Sequence, residues 1–106
     1  MSADTVELVP DAGLAERPRL VFFYSSSSGR SRRVEGYLSQ VLQRRRNHES
    51  FELHRVDVDQ HPELAEHFAI REVPTIVVVE AKRVQGRLET PKGCRDIERL
   101  LAPWLR

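Results

Sequence analysis

The order of apolar patterns along the chain predicts an α/β fold, with a central mixed β-sheet of four to five strands flanked by helices on both faces. Three observations carry that expectation. Short apolar runs at Leu20 to Tyr24 and Pro74 to Glu80 have the length and the aromatic or β-branched content of buried strands. Val34, Tyr37, Leu38, Val41 and Leu42 recur at helical spacing and form one face of an amphipathic helix. Strand-helix-strand order then forces right-handed parallel crossovers, while two strands separated by a short turn near the C-terminus add antiparallel pairing.

In chain order, Thr5 to Val9 alternates weakly and reads as a short edge strand closed by Pro10, and Asp11 to Pro18 as a loop or a turn or two of helix. Leu20 to Tyr24 follows as a strand with no polar side. A helix should run from about Arg30 to Arg46, with Gly36 expected at a point of close packing and Arg44-Arg45-Arg46 as its solvated, dipole-favoured end. Phe51 to Val58 reads as the next strand, and Pro62 opens a short helix that turns Leu64, Ala65 and Phe68 inward. After Pro74 to Glu80, the segment Ala81 to Gly86 is expected as a turn and Arg87 to Thr90 as an antiparallel strand. The last helix, Asp96 to Leu105, gathers Ile97, Leu100, Leu101, Trp104 and Leu105 on one face, with Pro103 bending or ending it.

Composition narrows the functional classes. A chain of 106 residues is one domain able to bury roughly two-thirds of its unfolded surface, so residues 1–18 are read as an appendage and 19–105 as the core. With 40% hydrophobic and 31% charged residues it reads as an ordinary globular protein. Seventeen basic residues against sixteen acidic leave a net charge of +1, so the global field gives no reason to expect nucleic acid. The opening Met1 to Glu7 is acidic and lacks a charged-then-apolar signal, and no apolar run approaches the 18 or so residues of a membrane span. A cytoplasmic monomer with no membrane partner is therefore expected. Cys94 is the only cysteine, which makes an intramolecular disulfide and a cysteine-based zinc site impossible within this chain. No cofactor or metal is expected.

The stretch Ser25-Ser26-Ser27-Ser28-Gly29-Arg30-Ser31 joins the first buried strand to the first long helix, where backbone N–H groups and a partial positive charge converge. Two readings stay open there: a carboxylate or phosphate site assisted by Arg30, Arg32 and Arg33, or plain helix capping by Ser28 or Ser31. His48, His54, His61 and His67 read as solvated imidazoles away from the turn. A serine nucleophile with a histidine base therefore has no support.

Val56-Asp57-Val58-Asp59-Gln60-His61-Pro62-Glu63-Leu64-Ala65, followed by Phe68-Ala69-Ile70-Arg71-Glu72-Val73-Pro74-Thr75, resembles the thioredoxin family. The resemblance extends through Gly86, Gly93 and the final helix, over roughly Arg19 to Leu105. It implies a thioredoxin-like fold, a cis-proline at Pro74 opposite the active-site turn, and a peptide groove in which the backbone of the residue before that proline, here Val73, pairs with an extended ligand. The departures concern the chemistry. Where thioredoxins carry Trp-Cys-Gly-Pro-Cys, this chain has Ser27-Ser28-Gly29-Arg30-Ser31, and Phe22 stands at the position of the family's buried Asp. Dithiol exchange needs one thiolate to attack and a second to resolve, so it is excluded.

The resemblance thus implies a redox-inactive module that binds a protein or peptide through Ser27, Ser28, Gly29, Arg30, Ser31, Val73, Pro74, Thr75, Gly93 and Cys94. Two other classes are kept beside it: a glutathione- or small-anion-binding protein or enzyme using the Ser-Gly-Arg-Ser turn, and a monothiol oxidoreductase using Cys94.

Overall fold

A computed structural model describes residues 17–106. The strand expected at Thr5 to Val9 and most of the loop before Pro18 lie outside the described residues. The elements are β1 (Arg19–Tyr24), α1 (Gly29–Gln43), β2 (Glu52–Asp57), α2 (Pro62–His67), β3 (Thr75–Glu80), β4 (Arg83–Glu89) and α3 (Cys94–Leu101). Short 3-10 segments follow α1 at Arg44–Ser50 and α3 at Ala102–Trp104.

The four strands form one sheet in the order β2-β1-β3-β4. β1 runs parallel to β2 and antiparallel to β3, and β3 is antiparallel to β4. Because β1 is interior, the two sets of its alternating side chains feed two separate cores. Leu20 and Phe22 join Ile76 and Val78 beneath Val34, Leu38 and Val41 of α1 and Ile97 and Leu101 of α3. Val21 and Phe23 join Val56, Val77 and Val79 against Leu64 of α2 and Phe68 beyond it. Helices therefore cover both faces, two on one side and one on the other, as the pattern predicts.

Several boundaries differ from expectation for identifiable reasons. α1 stops at Gln43, because Val41 and Leu42 are its last buried residues. Arg45 and Arg46 then adopt left-handed backbone, φ 50° and 58°, and turn the chain back toward β2. The three arginines thus lie beyond the helix; Arg44 pairs with Glu98 and Arg46 with Glu49. Gly36 is exposed with nothing near its Cβ direction, so close packing does not account for it. β4 begins at Arg83, since Ala81 and Lys82, φ 56° and 65°, complete a two-residue hairpin by themselves. Gly86 consequently sits inside β4, where a Cβ would meet Leu100 Cδ1 of α3 at 3.0 Å. Here the glycine does serve a close approach. α3 begins at Cys94, two residues earlier than expected, and Pro103 falls in the 3-10 turn that succeeds it.

Phe22 is fully buried and stacks on Tyr24, with ring centroids 5.6 Å apart. An acid at this position would face Leu20, Val34, Ile76 and Ile97. Phe22→Asp should lose the packing of a large side chain and strand a carboxyl in apolar surroundings, destabilising by about 4 kcal/mol or more, whereas Phe22→Leu keeps most of the stability. Thermal unfolding distinguishes them, and a cooperative Phe22→Asp transition near that of the parent would contradict this packing.

His54, on edge strand β2, is not a solvated imidazole. Its Nε2 is buried without a hydrogen bond, and Glu52 Oε1 stands 3.6 Å away. Burial holds its pKa below the ordinary 6.5, with Glu52 pulling the other way. The unfolded chain therefore takes up this proton first, so stability should fall as pH drops below 6.5 toward the folded-state value. Urea unfolding at about pH 7.5 and about pH 5.5 should show this decline, and His54→Phe should flatten it. Glu49 and Glu52, both held below the usual carboxylate range by arginine partners, respond only at more acidic pH.

Candidate functional site

At the C-terminal end of β1 the main chain leaves the sheet through the serine turn, and the hydroxyls there bind main-chain N–H groups of the turn, Asp59 and, once, each other. Ser28 is the N-cap of α1; its Oγ accepts the Ser31 N–H at 3.1 Å. Ser31 is buried, and its Oγ accepts the N–H of buried Ser25 at 3.2 Å. Ser25 Oγ donates to Asp59 Oδ2 at 2.7 Å. Its proton being so used, the 3.1 Å contact with Ser27 Oγ has Ser27 as donor. Asp59 itself is held by its N–H to Asp57 Oδ1, just after β2 pairs with β1.

The turn is thus pinned to the parallel strand by a Ser–Asp bond, and Ser28 and Ser31 close the first turn of the helix. Capping, one of the two readings of these residues, is what the geometry displays. Gly29 and Arg30, the first helical residues, are exposed at the helix mouth.

The second part of the site is the loop entering β3. The Val73–Pro74 peptide bond is cis. Pro74 is buried and its carbonyl accepts the Thr90 N–H at 2.8 Å. Thr75 lies fully buried between Phe23 of β1 and Glu89 of β4, and its Oγ1 donates to the Glu72 carbonyl at 2.6 Å. Val73 is half-buried, and its N–H and C=O have no hydrogen-bond partner among the described residues. Backbone polar groups that are partly shielded and unpaired are rare in folded proteins and mark places where another chain can add.

The third part is the segment between β4 and α3. Thr90 has φ 43°, strained for a β-branched residue, and its N–H is the one that reaches Pro74. Gly93 caps α3 in extended backbone. Cys94, the first residue of α3, turns its half-buried sulfur toward α1, with Gln40 Oε1 at 3.0 Å and the Tyr37 carbonyl at 3.7 Å.

All three parts meet at one end of the sheet, joined by the Phe23–Thr75 pairing and the Thr90–Pro74 bond. The concavity there is a cleft of about 320 Å³ walled by Arg30, Arg33 and Tyr37 on one side and Thr90, Pro91 and Lys92 on the other. Asp59, Tyr37, Thr90 and Lys92 were not among the expected site residues. Tyr37 reads in sequence as one more member of the helix's apolar face, and Lys92 stands across the cleft from it, two residues beyond the left-handed Thr90.

A small sheet of this order, with two helices on one face, one on the other and a cis-proline loop beside the first helix, defines a thioredoxin-like protein. The family model described as Thioredoxin matches residues 7–103, and the chain belongs to the thioredoxin family. Among solved structures it is similar to a thioredoxin of Fasciola hepatica, with 19% identity over 97% of this chain and 93% of that one, TM-score 0.79. Mitochondrial thioredoxin 3 of Saccharomyces cerevisiae in its oxidized form shares 17% identity over 90% of this chain and 85% of its own, TM-score 0.74. A malarial protein shares 18% identity over 86% and 100%, TM-score 0.72. No curated protein matches.

Removing the cap with Ser28→Ala should cost about 1 kcal/mol of unfolding free energy, read by urea titration. Ser31→Ala, which keeps the cap but strands the buried Ser25 N–H, should cost roughly 1–3 kcal/mol.

Proposed function

We propose that this protein is a redox-inactive member of its family that binds an extended protein or peptide segment in the groove beside the cis-proline. The observation that carries this reading is the unpaired main chain of Val73. An extended ligand laid along it would gain a donor and an acceptor already held in position by the buried Pro74 and Thr75. Main-chain pairing of this kind is indifferent to side chains, so it needs none of the sulfur chemistry the family resemblance associates with this end of the sheet.

The residues at the turn support redox inactivity. Ser28 and Ser31 are engaged as a cap and as an acceptor for the Ser25 N–H, and a single cysteine cannot form the intramolecular disulfide of a dithiol cycle. Cys94 faces α1. A monomeric module working in the cytoplasm agrees with the composition, and no helix among the described residues is long and apolar enough to cross a membrane.

Titration of the ¹⁵N-labelled full chain with a degenerate, cysteine-free octapeptide pool tests the groove. Amide shifts are expected at Val73, Thr75, Gly93 and Ser27 to Ser31, and they should vanish when the pool is N-methylated along its main chain. Shifts confined elsewhere, or indifference to N-methylation, would overturn the reading; glutathione and inorganic phosphate serve as control ligands for the serine turn. In a parallel disulfide-reduction assay the protein should add nothing to the dithiothreitol background. Catalysis lost in Cys94→Ser would instead make it a monothiol enzyme.

A further inference from the structure

The cleft beside that groove has basic walls. Arg30, Arg33 and Lys92 contribute three cations to its walls, and none of the residues lining it is acidic. In a chain with 17 basic and 16 acidic residues, such segregation is local. Of the acids nearest in sequence, Glu35 pairs with Arg55 and Glu89 with Arg71, while Asp96 stands behind the cleft wall, its carboxylate accepting the Lys92 main-chain N–H at 3.0 Å and facing Arg99. Among the described residues Arg30, Arg33 and Lys92 have no ion-pair partner.

Arg30 and Arg33 are three apart on α1 and so point to the same side of the helix, toward Lys92 across the cleft. Tyr37 adds an aromatic wall between them and the loop. Like charges gathered around a concavity repel one another, and the free energy of that repulsion is recovered when an anion enters.

Thr90 connects this cleft to the groove. It lines the cleft, and its N–H is bonded to Pro74 O, one residue from the open main chain of Val73. A strand paired along Val73 would send alternate side chains to the same face, within reach of the cleft that Thr90 borders.

We infer that the segment bound in the groove is an acidic peptide, whose Asp or Glu side chains enter the cleft between Arg30, Arg33 and Lys92. This rests on the groove reading and specifies its ligand: backbone pairing at Val73 supplies the register, and arginine-carboxylate contacts supply the selectivity. A cleft of about 320 Å³ accommodates one or two such side chains.

Fluorescence anisotropy of the full chain against three octapeptide pools, alike except for a central Glu-Glu, Gln-Gln or Lys-Lys pair, tests the inference. The acidic pool should bind roughly tenfold more tightly than the amide pool at low salt, a margin that shrinks as salt is raised. Arg33→Glu with Lys92→Glu should reverse the order of the acidic and basic pools, and Arg33→Gln with Lys92→Gln should abolish the preference. Arg83→Glu, beside the hairpin at the opposite end of the sheet, should leave it intact, and circular dichroism melts verify that each variant is folded. Equal binding of all three pools, still sensitive to N-methylation, would overturn the acidic ligand while leaving the groove standing. Failure of every pool to move the Val73 amide would overturn both. Shifts of the cleft amides by inorganic phosphate without binding of any pool would also overturn the inference, leaving a small-anion site.

Discussion

The structure depends on one strand having no solvent face. β1 carries Leu20 and Phe22 toward α1 and α3 and Val21 and Phe23 toward α2, so both cores are built on six residues of chain. Each core is too small to stand alone, and β1 makes them cooperative, because shifting its register by one residue would exchange the two sets of side chains. The end of β1 is therefore held from both faces of the sheet, and the serine turn begins there. The position of the turn comes from hydrophobic burial, while its shape comes from the Ser25–Asp59 bond and the Ser28 cap.

That division explains what could be read in the sequence. Runs such as Leu20 to Tyr24 and Thr75 to Val79 announce themselves because a doubly covered strand must be apolar throughout. Helix spacing marks α1 because its inward face alone is apolar. The ends of elements are less legible. α1 stops where its apolar face runs out, though arginines with good helix propensity follow, and the hairpin turns on Ala81 and Lys82, neither of which favours the left-handed backbone it adopts. In both places tertiary demand overrides local preference.

The site divides in the same way. Ser28 as a cap is a local interaction three residues long and could be read from spacing alone. The Asp59 contact, the Thr90 link to Pro74 and the meeting of Lys92 with Arg33 join residues from 16 to 59 positions apart, and no periodicity encodes them. The electrostatic character of the cleft is likewise invisible in a net charge of +1, since it arises from where the acids are already committed.

Phe22 also bears on the protein's history. With serine at positions 28 and 31 and a phenyl ring on the strand beneath, the departure from the family pattern extends from the surface into the interior, where Phe22 is packed against Tyr24, Leu20 and Ile76. Two substitutions could return sulfur to the turn; returning an acid would require refilling one of the two cores at the same time. An acid placed there without such refilling would lower stability. The core thus acts as a ratchet, making this departure from the family pattern costly to reverse by single substitutions.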